Sequence, residues 1–158
     1  MRKKILGIAV AATMALPAVG GPISTAGAGE VSGPTQIDIA AMDYHFMLAD
    51  GSEFPKKLKK GVYNFSFENQ SEKRMHEVVM IKLRHGKTLR QLLSMPQKKA
   101  ERHIRFIGGS FAKPGESGKA FKAKLITGRY AMLCFVQNRK GSKPHFLKGM
   151  LHRFNVVL

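Results

Sequence analysis

From residue 37 onward the pattern of hydrophobic and polar positions reads mainly as strands rather than helices. Ile37 to Phe46 reads as a first strand of mixed alternation, followed by an Asp50-Gly51-Ser52 turn and a basic connection from Lys56 to Gly61. Val62 to Glu68 alternates cleanly: Tyr63, Phe65 and Phe67 share one face, Asn64, Ser66 and Glu68 the other. After a polar loop from Asn69 to Arg74, the stretch His76 to Leu83 is apolar on both faces, as a strand inside a layered packing must be. Residues 87–104 break the pattern. Thr88 is placed to cap a short helix carrying Leu89, Leu92 and Leu93, Pro96 ends it, and a second short turn runs from Gln97 to Ile104. Gly108-Gly109 and Pro114-Gly115 mark a loop. Two further strands, Lys119 to Leu125 and Arg129 to Val136, join at Thr127-Gly128, and Met150 to Leu158 closes the chain beyond a Gly/Pro/Lys loop at Asn138 to Pro144. The expected fold is all-β: a β-sandwich with one short helical insertion.

The first residues are read separately. Arg2, Lys3 and Lys4 precede a mostly apolar run from Ile5 to Val19, and Ala26-Gly27-Ala28 offers a small-x-small cleavage site. These are the three parts of a secretory signal peptide, so residues 1–28 are expected to be removed and the protein to be periplasmic or extracellular. Residues 29–36 read as a flexible lead-in and 37–158 as one domain. No later segment has the length and apolarity of a membrane helix.

Composition narrows the chemistry. The 158 residues are 44% apolar, with 16 Gly and 7 Pro in no repeating period, which excludes collagen-like and wholly disordered chains. A single cysteine excludes a disulfide scaffold and a multi-cysteine metal module. In an exported protein that lone thiol is an anomaly: an intermolecular partner, a reactive group or a metal ligand. Acidic residues are scarce and unpaired, and no phosphate-cradling glycine loop, His-Glu-x-x-His helix or Gly-x-Ser-x-Gly elbow occurs. An enzyme is therefore not expected.

One constellation stands out. Cys134 ends a strand, on the face that carries Tyr130 and Met132. His145 follows beyond a loop, then Met150, while His76 opens a strand far upstream. One thiolate, two imidazoles and a thioether suit copper cycling between Cu(I) and Cu(II), and trigonal His₂Cys with a weak axial Met is the arrangement of blue-copper electron-transfer sites. The other histidines, His45, His85, His103 and His152, have no convergent spacing and read as surface or edge residues, and Met42 and Met47 as core or edge residues.

On these residues the chain resembles the cupredoxin (blue, type 1 copper) family of the plastocyanin and azurin kind. The resemblance covers roughly residues 37–158 and is carried by Tyr63-Asn64-Phe65-Ser66-Phe67-Glu68-Asn69 leading to His76-Glu77-Val78-Val79. It continues in Gly128-Arg129-Tyr130, four positions before Cys134, in Pro144-His145 and Gly149-Met150, and in Phe154-Asn155-Val156. It implies a Greek-key β-sandwich and one copper held by His76, Cys134 and His145 as equatorial ligands and Met150 as axial ligand. The implied activity is single-electron transfer between redox partners. Two departures stand beside it. Ten residues separate Cys134 from His145, where familiar members have only a few, so the second histidine is expected to be held less rigidly. The helical insertion at 87–104 is the other. The long loop keeps two alternatives in view, a cupredoxin-like module that stores or delivers copper and one that binds no metal.

Charge is the second feature. With 27 Lys and Arg against 10 Asp and Glu the net charge is +17; removal of residues 1–28 leaves 24 against 10, a net +14. Such a field steers a protein toward anionic partners. Arg139, Lys140, Lys143 and Lys148 surround His145 in sequence, so a basic rim at an exposed His145 edge would suit an acidic redox partner. Weak association with an anionic membrane surface, or binding of envelope polyanions, is the cationic alternative. No helix-turn-helix, RNP-like or zinc-finger pattern occurs, so sequence-specific nucleic-acid binding is not expected. A monomer is.

Overall fold

Alternation along Gly61–Asn69 places Tyr63, Phe65 and Phe67 in the interior, 5%, 0% and 1% exposed, and that strand organises one of two sheets. The computed structural model describes residues 33–158; the expected signal peptide and the start of the lead-in lie outside the described residues. Nine strands are described: β1 Thr35–Met42, β2 His45–Leu48, β3 Lys57–Lys59, β4 Gly61–Asn69, β5 His76–Leu83, β6 Ile104–Ala112, β7 Phe121–Leu125, β8 Gly128–Leu133 and β9 Leu151–Val157. They form a four-stranded sheet, β2-β1-β4-β7, and a five-stranded sheet, β3-β9-β8-β5-β6. Both are mixed, since β1 pairs parallel with β4 and β3 parallel with β9. The main core lies between them, built from Ile37, Ile39, Phe65, Phe67, Val78, Met80, Tyr130, Met132, Phe154 and Val156 among others.

The two apolar faces of β5 have different partners. Val78 and Met80 join the inter-sheet core. Ile81 joins a second cluster with Leu89, Ala131 and Leu133, against which Val79 and Leu83 pack. Leu89 comes from the helical insertion, made of α1 Leu89–Leu93, α2 Gln97–Ala100 and a 3₁₀ turn at Glu101–His103. Thr88 caps α1 in a capping box, its hydroxyl accepting from Gln91 N–H while the Gln91 side chain accepts from Thr88 N–H. The insertion thus brings apolar side chains to a sheet surface that would otherwise face water.

Three expectations are corrected. The strand expected over Ile37 to Phe46 is two, folded back at Asp43-Tyr44, with Met42 paired to His45. Asp43 takes a φ of 49°, a left-handed conformation that aspartate tolerates better than most residues. The basic connection contains β3, a three-residue strand whose Leu58 packs on the core. The Gly108-Gly109 pair lies inside β6 rather than in a loop. A Cβ on Gly108 would sit 2.3 Å from a Phe121 ring carbon, and one on Gly109 would sit 2.7 Å from the Val78 carbonyl oxygen. Here glycine answers close approach, beside a register shift at Met80/Ile81. No helix among the described residues is long and apolar enough to cross a membrane.

Candidate metal centre

Strand direction brings the sulfur and the first imidazole together. β8 runs antiparallel to both β5 and β9, so its end lies beside the starts of the other two. Cys134 directly follows β8, His76 opens β5, and Met150 directly precedes β9. All three are 0% exposed. Cys134 N–H donates to the Met150 carbonyl at 3.3 Å, tying the strand ends to each other.

His145 reaches the same place from the long loop. It heads a 3₁₀ turn, His145–Lys148, after Pro144. His145 N–H donates to the Val136 carbonyl at 2.9 Å and Phe146 N–H to the Cys134 carbonyl at 2.8 Å, so the ten-residue excursion is closed at its base. Gly149, at φ 115°, turns the chain back into β9, a left-handed conformation that a side chain would strain. Met150 N–H then donates to the His145 carbonyl at 3.0 Å.

The three ligand atoms of His76, Cys134 and His145 lie within 4.8 Å of one another. Cys134 Sγ is 3.9 Å from His76 Nδ1 and 3.5 Å from His145 Nδ1, and the two Nδ1 atoms are 3.1 Å apart. Outer partners turn these nitrogens inward. His145 Nε2 lies 2.7 Å from Asn138 Oδ1, a carbonyl oxygen that only accepts, so the ring proton sits on Nε2 and Nδ1 keeps its lone pair. Asn138 Nδ2 donates in turn to Tyr44 Oη at 3.1 Å. His76 Nε2 is 3.0 Å from Ser71 Oγ, which accepts from Asp43 N–H and can either accept from or donate to the ring; with a metal on Nδ1 the ring proton would sit on Nε2, facing Ser71.

Burial disfavours the charged form of all three groups, imidazolium and thiolate alike. Desolvation, then the neighbouring His145 and the Arg74 cation, pulls His76 from 6.5 down to about 4. Desolvation also lowers His145, with Lys148 and Arg74 adding to it. The Cys134 thiol is pushed up to about 11 by desolvation, against the backbone N–H groups of Glu77 and Val136 that favour the thiolate. Both rings are therefore held neutral, each with one N–H, and the two Nδ1 atoms lie 3.1 Å apart beside the Cys134 thiol. That donor set fits a soft, thiophilic metal ion, and copper in particular.

Ser71, Glu77, Asn138 and Tyr44 carried no sequence signal of this role. Glu77 N–H lies 3.5 Å from Cys134 Sγ and its carboxylate accepts from Phe135 N–H at 2.8 Å. The expected exposed edge of His145 is not found: the residue is 0% exposed, under Asn138 and Tyr44. His45 and His85 are exposed and His103 half-buried. His152 is half-buried against Phe54, ring centroids 5.1 Å apart. Met42 is 41% exposed at the end of β1, and Met47 is half-buried in β2.

No protein-family model and no curated protein matches the chain. Solved structures do. Dithionite-reduced auracyanin from the photosynthetic bacterium Roseiflexus castenholzii superposes with a TM-score of 0.52 at 17% identity, over 80% of this chain and 100% of that one. Rusticyanin from Thiobacillus ferrooxidans gives 0.52 at 13% identity, over 79% of each chain. Auracyanin B gives 0.50 at 18% identity, over 80% of this chain and 92% of that one. At such identities the likeness concerns the fold, and it agrees with the two-sheet topology and the ligand geometry in one conclusion: the chain has the cupredoxin fold, and its buried His76–Cys134–His145 cluster fits a blue-copper site.

Proposed function

We propose that this protein is an exported carrier of single electrons with one type 1 copper site. His76 Nδ1, His145 Nδ1 and Cys134 Sγ would hold the metal and the Met150 thioether would be the weak fourth donor. The observation that carries the reading is the convergence of one sulfur and two inward-turned imidazole nitrogens, buried, within 4.8 Å. Bound copper would supply a one-electron couple and an intense thiolate-to-metal absorption. The chain's part is to fix the donors on strand ends, exclude water and hold each imidazole proton on Nε2. With every donor from the protein, no position is open to a substrate, which supports a carrier rather than an enzyme. The apolar leader with its basic start supports export to the periplasm or beyond, and a net +14 supports an acidic redox partner.

A visible spectrum tests this. The mature protein loaded with Cu(II) should turn blue or green, and Cys134→Ala should abolish the band while retaining the fold. A copper-loaded protein without colour, or a colour that survives Cys134→Ala, overturns the proposal.

A further inference from the structure

His145 cannot meet a partner directly, because Asn138 and Tyr44 close over it. The Tyr44 ring stands edge-on to the imidazole, centroids 5.0 Å apart and planes at 76°. Unlike His145, Tyr44 is only half-buried, so one ring spans from the imidazole to solvent. Two cations flank it. The Arg74 guanidinium lies 5.0 Å from the ring centroid and Lys148 Nζ 5.1 Å, with Lys148 also donating to Tyr44 Oη at 3.4 Å. Position is enforced from both sides: Asn138 holds the hydroxyl, and Asp43, next to Tyr44, donates its N–H to Ser71 Oγ and pairs with Arg74 at 3.1 Å.

We propose that Tyr44 is the electron port of this centre, and that Arg74 and Lys148 make it selective for an anionic one-electron partner. The proposal rests on the carrier reading above. One electron leaves the reduced site and arrives on the acceptor; no bond forms or breaks, no proton moves, and the tyrosine ring couples the two without being oxidised. A partner docked on Tyr44 stands one ring away from His145.

The rival exit is Phe135, next to Cys134 in sequence and 46% exposed. The carboxylate of Glu77 is bonded to its backbone N–H, so an anion stands at that exit, whereas at Tyr44 the two cations Arg74 and Lys148 outnumber the one anion, Asp43. Charge on the reagent therefore separates the routes.

Two measurements test the port. In the copper-loaded protein, stopped-flow oxidation by anionic hexacyanoferrate(III) should slow about tenfold in Tyr44→Leu and in the double variant Arg74→Gln/Lys148→Gln. The double variant should also show a weaker salt dependence than Lys122→Gln. Lys122→Gln, on β7 at the opposite edge of the sheet from β2, should leave the rate unchanged. In the metal-free protein, the redox-inert paramagnetic anion hexacyanochromate(III) should broaden the NMR signals of Tyr44, Arg74 and Lys148 first. If Tyr44→Leu is oxidised as fast as the parent, if Phe135→Leu slows the reaction instead, or if broadening centres elsewhere, the port is refuted. Failure of the carrier reading looks different: the parent itself would then show no reversible one-electron wave, while the metal-free NMR experiment still decides whether the Tyr44 surface receives anions.

Discussion

Replacing Asn69 with alanine should cost this protein about 3 kcal/mol, a large fraction of the stability of a domain this size. Asn69 ends β4 and is 1% exposed. Its Nδ2 donates to the Arg74 carbonyl at 2.7 Å and the Ala112 carbonyl at 3.1 Å, and its Oδ1 accepts from Ser71 N–H at 3.0 Å. One amide thus ties the end of β4, the loop before β5 and the end of β6. Ser71 and Ala112 are 4% and 2% exposed, so water cannot easily replace the lost partner of either. Each orphaned buried group costs roughly 1–3 kcal/mol, whereas the partly exposed Arg74 carbonyl can be rehydrated and costs less. Two such orphans and a small void give the figure above. At about 4 °C per kcal/mol for a domain of this length, Tm should fall by ~12 °C. Urea unfolding of the metal-free protein should show a lower midpoint at unchanged slope. Asn64→Ala, on the same strand but in an exposed hydrogen bond to Gln36, should stay within about 0.5 kcal/mol. Because Ser71 Oγ supports His76 Nε2, Asn69→Ala should also shift the His76 ring resonances. A loss under about 1 kcal/mol, no larger than that of Asn64→Ala, would refute the reasoning.

Three further outcomes follow from the same geometry. Copper affinity should rise close to tenfold per pH unit between about pH 6 and 9, because the Cys134 thiol, at about 11, must release its proton while His76, at about 4, has none to lose; isothermal titration in two buffers of different ionisation enthalpy would count that proton, and a pH-independent affinity would contradict it. The metal-free fold should weaken as pH drops from 6.5 toward 4, by about 1.4 kcal/mol per unit from His76, since the unfolded chain takes up the proton that the folded site refuses; His145 adds in the same direction, and urea midpoints that are flat from pH 7 to 5 would contradict it. Gly108→Ala should destabilise by about 1–3 kcal/mol through collision with the Phe121 ring, with part regained in the Gly108→Ala/Phe121→Leu double variant; additive effects would place the strain elsewhere.

Where side-chain period alone decides the structure, the sequence was readable. β4 and β5 run as their alternation predicts, because one-sided and two-sided burial leave distinct marks in residue type. Where backbone conformation or close approach decides, it was not. Asp43 makes its left-handed turn without the glycine that usually announces one, so β1 and β2 read as continuous. Gly108-Gly109 carries a turn signature, yet its smallness serves the Phe121 ring and the Val78 carbonyl, which lie far along the chain. β3 is too short to show a period, and its ladder is supplied by β9.

The same division runs through the candidate site. His76, Cys134, His145 and Met150 announce themselves by residue type and order, since few other side chains suit a soft metal. Their supports do not, because a serine, an asparagine and a tyrosine acquire meaning only from contacts such as Tyr44 with Asn138, 94 positions apart. The long loop shows why the distinction matters. Its length predicts a loosely held His145, but the entropy of closing a longer loop grows only slowly, and the Val136–His145 hydrogen bond at 2.9 Å fixes the base. The residues beyond that base then deliver Asn138 to His145 Nε2 at 2.7 Å, and Asn138 delivers itself to Tyr44. Extra chain has become an orienting hydrogen bond and a cover, so the feature that weakens the expectation of an exposed imidazole port is the one that places an aromatic ring where that port would be.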